Sequence, residues 1–191
     1  IDLNQFQHSE NYKKLKEKLQ LENKKIILGV ASTWDKRKGL SDFIQLASLL
    51  DTNYKIILIG LTSKQIQRLP KNIMGVQRTE SIAELANYYG MADVYVNPTH
   101  KDNFPTTNIE SLACGTPVIT YNTGGSPEAI DNTTGKLVKK GDVKGLCNAI
   151  QELALHPKEH YAKVCRNRAL QLFNKEDRYL DYLRLYETLL N

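Results

Sequence analysis

No apolar run in this chain approaches the ~20 residues that cross a membrane, and nothing like a secretion signal precedes its first lysines. Cysteine is scarce. Cys114, Cys147 and Cys165 stand far apart in apolar surroundings, which argues against a disulfide framework or a zinc knuckle and points to a reducing compartment. Neither a Gly-x-x-x-x-Gly-Lys phosphate loop nor a Gly-x-Gly-x-x-Gly turn is present, which disfavours an NTPase and an NAD enzyme. Charge is not massed in one place either. The net charge of +5 and pI near 9.0 come from a spread surplus, which suits an anionic small molecule or an anionic membrane surface and falls short of a nucleic-acid footprint. Repeats, low-complexity tracts and internal linkers are lacking as well. The chain opens on Ile1 instead of methionine, as a segment cut from a longer protein would.

What is present is an alternation. The runs KKIILGVAS (24–32), YKIILIG (54–60), NIMGVQ (72–77), ADVYVNP (92–98) and TPVITYN (116–122) are short, apolar and rich in β-branched residues, and GKLVKK (135–140) is a weaker sixth. They read as buried strands. Between them, Leu40–Leu50 carries Phe43, Leu46, Ala47 and Leu50 at helical spacing, and Ile82–Met91 carries Leu85, Ala86 and Tyr89. Three further helices are expected at Val143–Leu155, Pro157–Phe173 and Lys175–Leu190. The 191 residues therefore predict one α/β domain, a parallel sheet of about six strands with helices on both faces. Its parts are a linker and first helix (1–24), the α/β core (25–155) and the closing helices (156–191). Ligands of such sheets settle outside the carboxyl ends of the strands. The loops Ser32–Gly39 and Pro98–Pro105 both follow strands, so both should face one crevice.

The stretch DNFPTTNIE (102–110) carries the chemistry. Pro105 suits the first position of a helix, where its missing N–H costs nothing. The amides of Thr106, Thr107 and Asn108 would then be unpaired donors at a positive helix end, which accepts a phosphate, and the two threonine hydroxyls could add bonds. Ile109, Leu112 and Ala113 form the core stripe of that helix, and Thr106 and Glu110 share another face. Glu110, one turn from the phosphate position, suits two adjacent hydroxyls such as those of a ribose. Asp102 precedes the helix, on the side where a sugar would lie. Either carboxylate alone is more simply a solvated residue; the combination with NFP, ACGTPVI and GGSPEAI is what speaks against that.

Those residues resemble the signature of the retaining nucleotide-sugar glycosyltransferases of family 4 (glycosyl transferases group 1), which have the B-type fold of two facing Rossmann-like domains. The family pattern is Glu-Gly-Phe-Pro, four residues, Glu-Ala, a small pair, Gly-x-Pro-Val-Ile and later Gly-Gly-x-x-Glu. This chain has Asp102-Asn103-Phe104-Pro105, Glu110-Ser111, Ala113-Cys114-Gly115-Thr116-Pro117-Val118-Ile119 and Gly124-Gly125-Ser126-Pro127-Glu128. ADVYVNP (92–98), Arg37-Lys38-Gly39 and IDLNQF, similar to a linker strand of the family, extend the resemblance over nearly the whole chain. The resemblance implies the carboxyl-terminal, donor-binding domain of an enzyme about twice this length. It implies that Lys38 and the amides at the 105 helix contact the donor diphosphate, that Glu110 holds the ribose, and that Asp102 with the Asn103–Phe104 amides faces the donor sugar. The backbone near Gln77–Arg78 would read the base. Asp102 is one methylene shorter than the family glutamate, and Asn103 replaces glycine. The family arginine falls on Thr33 or Ser32, neither basic, with Arg37 the available substitute; Lys36-Arg37-Lys38 also reads as a solvated turn.

The partners implied are a nucleotide-sugar donor (UDP or GDP), an amino-terminal domain, and a glycan or lipid-linked acceptor, with no nucleic acid, cofactor or metal. The setting implied is bacterial surface polysaccharide synthesis in the cytoplasm, the inner membrane face being open as a station. The isolated chain is expected to bind donor weakly and transfer nothing. Rival readings are a sugar-nucleotide epimerase of the same fold and a non-catalytic nucleotide-binding module. His156-Pro-Lys-Glu159-His160 has the letters of an inverted zincin motif, but Pro157 would start the helix and leave His156 outside it, so a metal reading fails. His100 reads as a plain loop histidine, with contact to sugar or acceptor as the alternative. Trp34 and the tyrosines of the last helix read as core, although that helix's stripe would in the family face the other domain.

Overall fold

The computed structural model describes residues 1–7 and 10–190; His8 and Ser9, within the expected linker, and Asn191 lie outside the described residues. The apolar runs form six strands: β1 (Lys25–Val30), β2 (Tyr54–Ile59), β3 (Ile73–Val76), β4 (Val94–Asn97), β5 (Val118–Tyr121) and β6 (Gly135–Val138). All pair in parallel, in the order β3-β2-β1-β4-β5-β6. Ile27 is aligned with both Ile56 of β2 and Val94 of β4. Ile26, Ile27, Leu28, Ile57 and Leu58 are wholly buried. Helices covering both faces of a parallel sheet account for strands that are apolar throughout instead of alternating. β6 is an edge strand and leaves Leu137 half exposed, which explains its weak pattern.

Helices α1 (Asn11–Lys18), α2 (Leu40–Leu49), α3 (Ser63–Ile66), α4 (Ile82–Met91), α5 (Thr106–Ala113), α6 (Val143–Leu153), α7 (Glu159–Phe173) and α8 (Lys175–Leu190) complete the order, with a 3-10 turn at Ser126–Ala129. α2 buries Phe43, Leu46 and Ala47, as its spacing predicts. Ser81 and Asp142 cap α4 and α6 by accepting from the amides of Glu84 and Gly145. α3 has no counterpart in the periodicity, yet its Thr62 and Gln65 form a capping box that the sequence does carry.

Four expectations need correction. α7 begins at Glu159, not Pro157, because Pro157 stays in the preceding turn and its carbonyl accepts from His160. Residues 1–6 form a turn instead of a strand: Gln5 and Phe6 donate to the Asp2 carbonyl while Leu3 and Phe6 sink into the core. Pro105 is the residue before the first turn of α5, in extended geometry, and Thr106 is the first helical residue. Tyr179, Tyr182 and Tyr186 of α8 are exposed, not core, because α8 buries no residue against the rest of the described chain. Trp34 is core, its indole donating to the Ile59 carbonyl at 2.8 Å.

Arg166 of α7 ties the first turn to the core. Its guanidinium donates to the carbonyls of Phe6 (2.6 Å), Ala113 (2.9 Å) and Leu3 (3.1 Å). Arg166→Leu leaves these acceptors unpaired and should lower unfolding free energy by about 2–4 kcal/mol, read as a shifted urea midpoint with unchanged slope.

Candidate donor-binding site

The strand order reverses between β1 and β4, so the loops leaving these two strands diverge over their carboxyl ends. The two loops are joined backbone to backbone. The Arg37 carbonyl accepts from the His100 amide (2.7 Å) and the Thr99 hydroxyl (3.3 Å), and the Arg37 guanidinium donates to the Lys101 carbonyl (3.2 Å). Glycine makes this possible at Gly39, where φ is +78° and a Cβ would lie 2.3 Å from the Pro98 carbonyl oxygen. The loop after β5 closes in from the other side. Thr123 donates to the Thr99 carbonyl at 2.8 Å, and a Cβ on Gly124 or Gly125 would strike the carbonyl oxygens of Asp102 (1.8 Å) or Asn103 (2.0 Å). The Lys-Gly and Gly-Gly pairs of the sequence are thus the points where three loops touch.

At this junction Lys38 Nζ meets Asp102 Oδ2 at 2.5 Å, both side chains largely buried. The two residues assigned to diphosphate and to sugar face each other across the reversal point. α5 begins beside them. No side chain caps it, and the Asn108 amide turns back to the Pro105 carbonyl, which leaves Thr106 and Thr107 as the outward donors among the described residues. Asn108 departs from the expected donor contacts. It is wholly buried, its side chain accepting from Asn97 (2.9 Å) and donating to the Ser126 carbonyl (3.3 Å). Asn103, Phe104 and Thr106 are exposed on the shelf, with Phe104 tilted against Phe173 at 6.0 Å. Arg78 is exposed in the loop after β3, at the same end of the sheet but two strands from β1.

Glu110 lies one turn into α5, largely shielded from solvent. Burial raises its carboxyl above the usual range, and hydrogen bonds from Tyr89 and Thr106 oppose that shift. The Tyr89 phenol donates to Oε2 at 2.9 Å, and its own ionisation is pushed far up by burial and by Glu110, so it remains a donor. A carboxylate has about four acceptor positions, so two neutral donors leave room for a pair of ligand hydroxyls. Tyr95, wholly buried and packed edge-on to Tyr89 at 5.5 Å, reaches the Val30 carbonyl and Thr107 below the shelf. Helical spacing marks Tyr89 as core and says nothing of its hydroxyl; no sequence signal picks out this supporting layer.

Concavities of about 550 Å³ occur elsewhere, at the amino ends of β1 and β2 (Lys24, Lys25, Asp51, Tyr54, Asp93) and beside β6 (Lys136, Glu152, His156, His160). Lys25 pairs with Asp93, and the His156 and His160 rings stack at 4.7 Å. Among the described residues, no three His, Cys, Asp or Glu side chains are grouped to hold a metal ion.

A family model, glycosyl transferases group 1, matches residues 11–171. The chain belongs to that family. It is 31% identical over 165 residues to the capsular polysaccharide biosynthesis glycosyltransferase CapM of Staphylococcus aureus, covering 80% of this chain and 43% of that protein. Among solved structures it is similar to sucrose-phosphate synthase of Thermosynechococcus elongatus (TM-score 0.84, 27% identity, all of this chain and 51% of that one). Anabaena HepE, solved in complex with UDP-glucose, shares the fold (TM-score 0.83, 19% identity, 98% of this chain and 56% of that one). This chain thus spans about half the length of these relatives. Its parallel Rossmann-like sheet is the fold that the resemblance implies, and among the described residues no helix is long and apolar enough to cross a membrane.

The convergence of the loops gives a direct check. Gly124→Ala, at φ +51° and against the Asp102 carbonyl, should cost at least about 2 kcal/mol of stability in chemical denaturation, whereas Gly141→Ala, positive in φ but open around its Cβ, should cost about 1 kcal/mol.

Proposed function

We propose that this chain is the donor-binding domain of a retaining, metal-independent glycosyltransferase that moves a hexosyl group from a UDP- or GDP-sugar to a hydroxyl of a glycan or lipid-linked acceptor. The observation that carries the proposal is the uncapped start of α5 beside Lys38, with Glu110 one turn later. Two linked phosphates fit the amides of Thr106 and Thr107 and the Lys38 ammonium, and the ribose hydroxyls fit Glu110. The amide and ammonium donors would then stabilise charge developing on the departing diphosphate. Asp102 partners Lys38; donor binding brings phosphate to Lys38 and turns Asp102 to the sugar hydroxyls. Arg37, engaged with the Lys101 carbonyl and Asp35, joins the loops first and adds positive potential second. The backbone near Gln77 and Arg78, in the loop after β3 at the same end of the sheet, would read the base.

The fraction of its relatives that the chain spans supports a second, acceptor-side domain in the whole enzyme, and the exposed apolar stripe of α8 supports contact with it. Likeness to a capsular polysaccharide enzyme supports bacterial surface polysaccharide synthesis, in the cytoplasm or at the inner membrane face.

Titration calorimetry with UDP, GDP and ADP and their glucose or mannose esters tests the reading. One series should bind the isolated chain, Glu110→Ala should weaken it roughly tenfold, and no sugar should be transferred without the rest of the enzyme. Glu110 accepts from both ribose hydroxyls most strongly when ionised, and burial raises its pKa. Affinity for a nucleotide sugar should therefore fall on acidification, beginning above the ordinary glutamate value near 4.5, and Glu110→Gln should abolish that slope. Equal affinity in wild type and Glu110→Ala contradicts the site; donor isomerised without acceptor makes the protein an epimerase.

A further inference from the structure

Below the β4–α5 loop one buried carboxylate gathers side chains from three elements. Asp42, in the first turn of α2 and 8% exposed, accepts from the Tyr121 phenol at 2.7 Å and from Ser41 Oγ at 3.2 Å, and lies 2.9 Å from His100 Nε2. The amino end of α2 favours its negative charge. Burial, and then Asp42 itself, pushes the Tyr121 phenol far up, so Tyr121 stays a donor. The His100 ring packs edge-on against Tyr121 at 5.5 Å, while the His100 amide donates to the Arg37 carbonyl at 2.7 Å. His100 is therefore gripped at ring and backbone together, two residues before Asp102 and five before Pro105.

A buried carboxylate is costly unless its partners are fixed, and an apolar residue would fill this place in α2 without that cost. What the charge adds is direction. It aligns a ring nitrogen on the loop with a helix start and a strand end, and neither of those can shift without disturbing the sheet. We propose that Asp42 and Tyr121 are positioning residues that lock His100, and through it Thr99–Pro105, so that Lys38, Asp102 and the start of α5 stand in register before donor arrives. This deepens the donor-site reading above and rests on it.

Two measurements on the same chain test it. Hydrogen exchange reads loop order without any ligand, and calorimetry with UDP-glucose, GDP-mannose and ADP-glucose reads the consequence. His100→Leu should speed exchange of the 99–104 amides roughly tenfold, the loss of one charge-assisted hydrogen bond, with β1 and β2 unchanged. It should weaken the preferred donor by a similar factor while leaving the nucleoside monophosphate less affected. His100→Gln, which can still donate to Asp42, should restore both. Asp42→Asn, which keeps the shape, should loosen the same amides and provides the comparison if His100→Leu folds poorly. Unchanged exchange in His100→Leu and Asp42→Asn overturns the lock, as does failure of His100→Gln to restore it. Faster exchange with unaltered donor affinity overturns the positioning role. A wild-type chain that binds none of the three donors, with exchange behaving as described, overturns the donor site and reduces the lock to a structural tie.

Discussion

The site depends on how closely three backbone segments approach one another over the carboxyl ends of β1, β4 and β5. Because the strand order reverses between β1 and β4, the segments leaving these strands run apart, and the space between them is not filled by a crossover helix. Gly39, Gly124 and Gly125 then let the chain draw in until carbonyl oxygens of Pro98, Asp102 and Asn103 lie where side chains would be. Everything proposed for the site presumes this packing. It orients the first turn of α5 and sets Lys38 opposite Asp102.

On this frame polar groups are satisfied before any ligand binds. Lys38 has Asp102, Glu110 has Tyr89, and His100 has Asp42. Preorganised groups of this kind need little rearrangement when charge arrives or develops. Among the described residues the uncapped Thr106 and Thr107 amides and the buried Ser126 hydroxyl are exceptions, and the two amides sit where the helix dipole adds to their own partial charge. Donor binding in this account is an exchange of partners at Lys38 more than the filling of a deep pocket. The exposure of Asn103, Phe104 and Thr106 on an open shelf agrees with that.

Much of this was legible in the residues. The apolar runs gave the strands because both sheet faces are buried, and strand-helix alternation gave the parallel order. The loops Ser32–Gly39 and Pro98–Pro105 are legible as neighbours because each follows a strand, whereas the approach of Gly124 and Gly125 to them is not. What stayed hidden is tertiary. Nothing in the spacing of Asp42, His100 and Tyr121 tells that they meet, since 79 residues separate the first from the last. Tyr89 looks like core because its ring is core, and only the fold reveals that its hydroxyl reaches Glu110. The place of Asn108 in TTN suggests a ligand contact, whereas helix geometry turns its side chain inward to Asn97. The tyrosines of α8 read as core because no concentrated basic stripe accompanies them, and what decides their exposure is the absence of a facing element among the described residues.

The most direct measurement is a crystal structure of this chain soaked with the nucleotide sugar it binds most tightly. The account predicts the diphosphate within hydrogen-bonding distance of the Thr106 and Thr107 amides, Lys38 moved from Asp102 to phosphate, and the ribose hydroxyls on Glu110. A nucleotide lodged at the amino ends of β1 and β2, or bound at α5 with no ribose hydroxyl in reach of Glu110, would contradict it.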